Sequence, residues 1–156
     1  MTRRRSALGA VSRTPPLSAL RLVSREALAF ARQATLLHRD VTASYPRLAV
    51  PGEDVVVLLH GLFATAGVLR PMREAIESRA GAHTASFSYA PGPGVASVAE
   101  SLAELVDRLP ARVRVHLVGH SMGGVVARWF VQELGGDERV VQTLSLGSPF
   151  GGTHRA

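Results

Sequence analysis

Ser121 lies at the centre of Val118-Gly119-His120-Ser121-Met122-Gly123-Gly124, a G-x-S-x-G arrangement with an apolar run before it and an amphipathic run after it. A strand that turns abruptly into a helix holds its central serine in a strained backbone conformation, with the hydroxyl presented to an incoming carbonyl. The backbones pass too closely at such an elbow for side chains, which accounts for glycine at Gly119 and Gly123. A helix beginning at Met122 aims its positive end at negative charge developing beside the serine. The chemistry these residues could perform is nucleophilic acyl transfer through an acyl-serine.

Acyl transfer passes through a tetrahedral oxyanion that needs at least two preorganised donors. In a strand–elbow–helix site one donor is the amide of the residue after the nucleophile, and the other comes from a loop after an earlier strand. His60-Gly61-Leu62-Phe63 follows the first apolar run directly. The expected oxyanion pair is therefore the backbone N–H groups of Leu62 and Met122, with Gly61 permitting the close approach. His60 lies within that turn and His120 beside the nucleophile. Neither is read as the catalytic base, because turn and elbow neighbours point in different directions.

The elements that must position these groups follow from hydrophobic periodicity. Val55 to Leu59 is a continuous apolar run, as expected of a strand covered on both faces. Pro71 suits the first turn of a helix reaching Ser78, closed by Gly81. His83 to Tyr89 alternates as a strand, followed by the loop Pro91-Gly92-Pro93-Gly94. Val98, Leu102, Leu105 and Leu109 form a helical stripe stopped at Pro110. Val113 to Val118 is a strand, Met122 to Leu134 a helix closed by Gly135-Gly136, and Val140 to Leu146 a strand. Strands separated by helices imply βαβ units, hence an α/β fold with a parallel sheet of about four strands. The expected domain occupies residues 51–156, after a basic extension over residues 1–50 that ends in the loop signals Tyr45-Pro46 and Pro51-Gly52.

On the stretches VVVLLHGLF, VHLVGHSMGGVVARWFVQELGG and TLSLGSPFGGTHRA, the sequence resembles the bacterial triacylglycerol lipase/esterase family of α/β-hydrolases. That family shows a His-Gly-apolar turn, a Gly-His-Ser-x-Gly-Gly elbow and a later G-[ST]-P-H-x-G segment, and Phe150 stands where the last of these carries histidine. The resemblance implies an α/β-hydrolase core and hydrolysis of small-molecule or lipid acyl esters, with no cofactor and no metal. A thioesterase or acyltransferase would share the elbow, and a non-catalytic binding module of the same fold is the alternative from another class. Triad members in this fold follow the order Ser, acid, His. After Ser121 the sequence offers Glu133, Asp137, Glu138 and His154. The three carboxylates fall where the helix returns towards the next strand, at the edge opposite the serine, so acid and base stay unassigned. The chain reads as the nucleophile half of such a domain. His38 and His83 fall before the elbow and off any motif, as structural or surface residues. No H-e-x-x-H spacing for a metal occurs.

Composition bounds the rest. The 46% apolar residues and 19% charged residues describe a globular chain. The absence of cysteine excludes disulfides and thiolate metal sites. A pI of 11.3 points towards nucleic acid, but the charge is uneven. Residues 1–50 carry nine arginines against Glu26 and Asp40, a balance of +7, and the remainder nine against ten acids, −1. All basic residues are arginine, the profile of a GC-rich coding sequence. Nucleic-acid binding is not the expected function.

Leu20, Val23, Ala27, Phe30, Ala34 and Leu37 recur at helical spacing, with Arg21, Arg25, Arg32 and Arg39 off the stripe. This helix is expected to pack on the hydrolase body, with peripheral contact to an anionic membrane surface as the alternative. No apolar run approaches the roughly 18 residues of a membrane span. The arginine-rich start lacks the apolar stretch of an export signal, which favours a cytoplasmic or membrane-peripheral location. The apolar strand Val140–Leu146 is an expected exposed edge and a place for self-association.

Overall fold

A computed structural model describes residues 51–152, 43–46, Leu28 and Ala31. Two compact units divide the chain, residues 1–32 and residues 33–156. In the first, Leu28 and Ala31 are helical and exposed. The stripe from Leu20 to Leu37 and the residues His38 and His154 lie outside the described residues.

Eight elements alternate along the described part of the second unit. They are β1 (Asp54–Leu59), a 3-10 turn (Ala66–Leu69), α1 (Arg70–Ala80), β2 (His83–Ser86), α2 (Val95–Asp107), β3 (Arg114–His120), α3 (Met122–Glu133) and β4 (Val140–Leu146). The strands form one sheet in the order β2-β1-β3-β4, every pair parallel. This is the core expected of an α/β-hydrolase.

Apolar alternation assigns the helices to faces. Val55, Val57 and Leu59 of β1 and Val115 and Leu117 of β3 project into one cluster, with Leu102, Leu105 and Val106 of α2 and Val126 and Phe130 of α3. The opposite side chains, Val56 and Leu58, pack with Leu69, and Met72 and Ile76 of α1 lie against them. Helices therefore cover both faces, which is why β1 reads as an unbroken apolar run. Burying a side chain of this size contributes roughly 1.5–3 kcal/mol.

The boundaries differ from the sequence reading at two points that matter for the site. The alternation from His83 to Tyr89 continues past the strand, which ends at Ser86. There Ser44 pairs with Ser86 through two backbone hydrogen bonds of 2.7 and 3.1 Å, an isolated bridge at the last residue of β2. Phe87 and Tyr89 then leave the ladder and fold inwards. Strand β3 instead runs beyond Val118 to His120, so the chain enters Ser121 straight from the ladder. At the other end of the sheet, β4 leaves Val141, Leu144 and Leu146 exposed.

Candidate active site

Two turns meet at the carboxyl ends of β1 and β3. The first is a tight reversal, closed by a hydrogen bond from the Ala64 amide to the Gly61 carbonyl at 3.3 Å. Phe63 occupies its third position at φ 57°, in the left-handed region that a β-turn of this kind demands there. Leu62 and Phe63 are exposed and Gly61 is buried.

The second turn is the junction of β3 and α3. Ser121 is the N-cap of α3, with φ 52° and ψ −120°. A non-glycine residue in this sparsely populated region costs roughly 1–3 kcal/mol, and its neighbours hold it there. The Ser121 amide donates to the Leu146 carbonyl of β4 at 2.8 Å, and the Ser121 carbonyl accepts from Gly124 at 3.2 Å. A Cβ on Gly119 would overlap the backbone of Gly123 and Gly124, and one on Gly123 would lie 2.8 Å from the His60 carbonyl oxygen. Neither position has room for a side chain.

The two turns touch. A Cβ on Gly61 would lie 3.1 Å from Ser121 Cβ and 3.2 Å from His120 Nδ1. The structure therefore brings together Gly61, Leu62, Gly119, Ser121, Met122 and Gly123. Neither the Leu62 nor the Met122 amide is taken by a backbone acceptor in the described turns, loops and caps. Beside the first turn is an open, mainly apolar cleft of about 440 Å³, with Phe63, Ala64, Tyr89, Ala90 and Pro91 in its wall.

His60 is 1% exposed, and its ring is fully engaged. Nδ1 lies 2.8 Å from the Gly61 carbonyl, and Nε2 accepts the Tyr89 amide at 3.1 Å. The Tyr89 ring stacks on the imidazole at 3.8 Å between centroids, and its hydroxyl donates to the His60 carbonyl. Burial pushes the imidazole pKa down, against a smaller opposing effect of the Gly61 hydrogen bond. Burial likewise pushes the Tyr89 phenol up. His60 has no nitrogen left to serve as a base for Ser121.

Several other titratable groups pair with one another. His83 pairs with Glu53 at 2.9 Å, and His116 with Asp54 at 2.9 Å. Asp137 holds Arg139 at 2.8 Å, with both side chains largely buried beyond the far end of α3. No group of His, Asp or Glu that could hold a metal occurs among the described residues.

Sequence reasoning missed two features. Gly124, the second glycine of the doublet, packs closely on two serines: a Cβ there would lie 2.0 Å from Ser148 Oγ and 2.8 Å from Ser145 Oγ, so both hydroxyls would have to turn away. The doublet in the sequence was the available signal. The His60–Tyr89 stack had none, since it joins two segments through tertiary structure alone. Phe150, where histidine was expected by resemblance, is half-exposed under the Arg128 guanidinium, 5.1 Å from its ring centroid.

Comparison with known proteins adds three findings. The profile of the family described as palmitoyl protein thioesterase matches residues 55–156. The crystal structure of Bacillus licheniformis lipase BlEst2 in mature form superposes with a TM-score of 0.48 at 18% identity, covering 69% of this chain and 46% of the lipase. Its propeptide form gives the same TM-score and identity, with 25% of that chain covered. The chain thus spans less than half the length of either. No curated protein matches the sequence. No helix among the described residues is long and apolar enough to cross a membrane.

Proposed function

We propose, from the premise that this chain belongs to the palmitoyl protein thioesterase family and is a hydrolase of the α/β-hydrolase type, that Ser121 attacks acyl thioesters and esters to form an acyl-serine. The observation that carries this reading is the contact between Gly61 and Ser121, which sets an elbow serine against a turn with an unengaged amide. A carbonyl attacked by Ser121 Oγ would have its oxygen between the Leu62 and Met122 amides. Two such donors, held in place before reaction, each contribute roughly 10²–10³ in rate in well-studied hydrolases. Collapse of the tetrahedral intermediate expels the thiol or alcohol, and water then releases the acid.

The cleft beside the turn supports an apolar acyl group, because its wall is mostly hydrocarbon. The family's description favours a thioester over an oxygen ester as the bond cleaved. The first test is covalent: a fluorophosphonate should label Ser121 and no other serine, as mapped by mass spectrometry. A matched thioester and oxygen ester of the same acyl chain should then show which leaving group is preferred. Undiminished labelling in Ser121→Ala would overturn the assignment.

A further inference from the structure

His60 is buried, adjoins the proposed oxyanion turn, and takes no part in the acyl-transfer steps. Its hydrogen bonds determine its protonation. The Tyr89 backbone amide can only donate, so Nε2 receives it through its lone pair and carries no proton. A neutral ring must then bear its proton on Nδ1, where it donates to the Gly61 carbonyl at 2.8 Å. The imidazolium form would set two N–H groups against each other at Nε2 and lose the bond from Tyr89.

Two consecutive carbonyls of the turn are thereby tied down. The Gly61 carbonyl accepts from His60 Nδ1 and from the Ala64 amide, and the His60 carbonyl accepts from the Tyr89 hydroxyl. The peptide joining Gly61 to Leu62 is trans and planar, so anchoring its oxygen turns the Leu62 N–H to the opposite side. Glycine alone would leave that plane free to rotate. The stack at 3.8 Å keeps the imidazole from leaving, and Tyr89 belongs to the segment after β2, outside the turn.

We propose that His60, clamped by Tyr89, is a positioning residue that orients the Leu62 amide towards the carbonyl under attack by Ser121. The inference rests on the reading of Ser121 as nucleophile. In this arrangement His60 transfers no proton. It converts a mobile glycine turn into a donor preorganised for charge in the transition state.

The test uses the 156-residue chain and saturation kinetics of fluorophosphonate labelling, separating the maximal rate constant from half-saturation. His60→Leu keeps an apolar group of similar bulk and removes the donor. It should lower the maximal rate by about 100-fold, the effect of losing one oxyanion donor, with half-saturation little changed. His60→Asn, whose amide can still donate to Gly61, should recover activity to within about tenfold of the parent. Tyr89→Phe keeps the stack and loses only the hydroxyl, and should slow labelling about fivefold. Nitrogen-detected magnetic resonance at pH 7 should find His60 neutral with its proton on Nδ1, whatever the fold of the variants. A proton on Nε2, or wild-type rates in His60→Leu, would overturn the inference while the hydrolase reading stands. No labelling of Ser121 in the parent chain would overturn that reading, and the inference with it.

Discussion

Gly61 and Ser121, at the ends of β1 and β3, are close enough that a single methyl group on the first would press on the side chain of the second, 3.1 Å from its Cβ. The neighbouring strands are held in register up to this point, Leu59 facing Gly119. The contact is therefore set by the sheet and not by flexible loops.

Gly61→Ala and Gly119→Ala should separate function from stability. The Gly61 methyl meets the side chains of Ser121 and His120 at 3.1 and 3.2 Å, which can yield by a few tenths of an ångström. We expect a stability loss of less than about 1 kcal/mol but labelling of Ser121 slowed by roughly 10–100-fold, because small misplacements of reacting groups are costly. The Gly119 methyl meets backbone at Gly123 and Gly124, which cannot yield without moving the start of α3. Urea unfolding should show a loss of about 2–3 kcal/mol or more. Wild-type labelling by Gly61→Ala would show that the contact is not functional.

Arg139 is expected to be a stability hub. It donates to the carbonyl of Val106 in the last turn of α2 and to those of Leu109 and Pro110 just beyond it, and pairs with Asp137. Removing it in Arg139→Ala leaves the Leu109 and Pro110 carbonyls short of a donor, while Val106 keeps the Leu109 amide, and should cost roughly 2–4 kcal/mol, measured by urea unfolding at pH 7.

The same pair gives a signed pH dependence. The hydrogen bonds from Arg139 hold the Asp137 carboxyl below the usual carboxylate range, against an opposing effect of partial burial. A depressed folded pKa means the contribution is complete above the unfolded value of about 3.9 and disappears as pH falls through the folded one. Asp137→Asn should therefore be less stable by about 1–3 kcal/mol at pH 7, and the gap should close below about pH 4. A gap that is constant from pH 7 to pH 2.5 would refute the assignment.

Arg112 offers a control far from the chemistry. It sits at φ 64° before β3, where only its carbonyl is used, accepting from Gly52 at 2.9 Å. Arg112→Gly relieves roughly 1–2 kcal/mol of left-handed strain and gives back about 0.4–1 kcal/mol through the freer unfolded chain. A net gain near 0.5 kcal/mol is expected, with labelling of Ser121 unaltered. A loss of stability would show that the arginine side chain contributes something the strain argument omits.

The β4 edge is the expected surface for self-association. It ends the strand order among the described residues, and Val141 and Leu144 are 55% and 40% exposed. An unpaired ladder beside apolar side chains invites a second strand. Light scattering at tens of micromolar should show association that the double variant Val141→Lys, Leu144→Lys reduces, since charge on an edge strand opposes pairing. A monodisperse monomer of the parent chain would end this proposal.

What the sequence determined by itself was local. The unbroken apolar run at Val55–Leu59 required a strand covered on both faces, and glycines flanking Ser121 required a turn too tight for side chains. The stripe Val98, Leu102, Leu105 and Leu109 required a helix with one buried face. Each of these depends on residues within a few positions of one another, so spacing carries the information. Tertiary structure decided what depends on distant pairs. Ser44 bridges Ser86 at the last residue of β2, after which Tyr89 turns inwards although its alternation still reads as strand. Tyr89 can then meet His60, and the imidazole receives a definite tautomer that no spacing encodes. The elbow glycines were legible because steric exclusion acts on the residue itself. The His60–Tyr89 clamp was not, because it exists only once parallel β1 and β2 place the two following segments side by side.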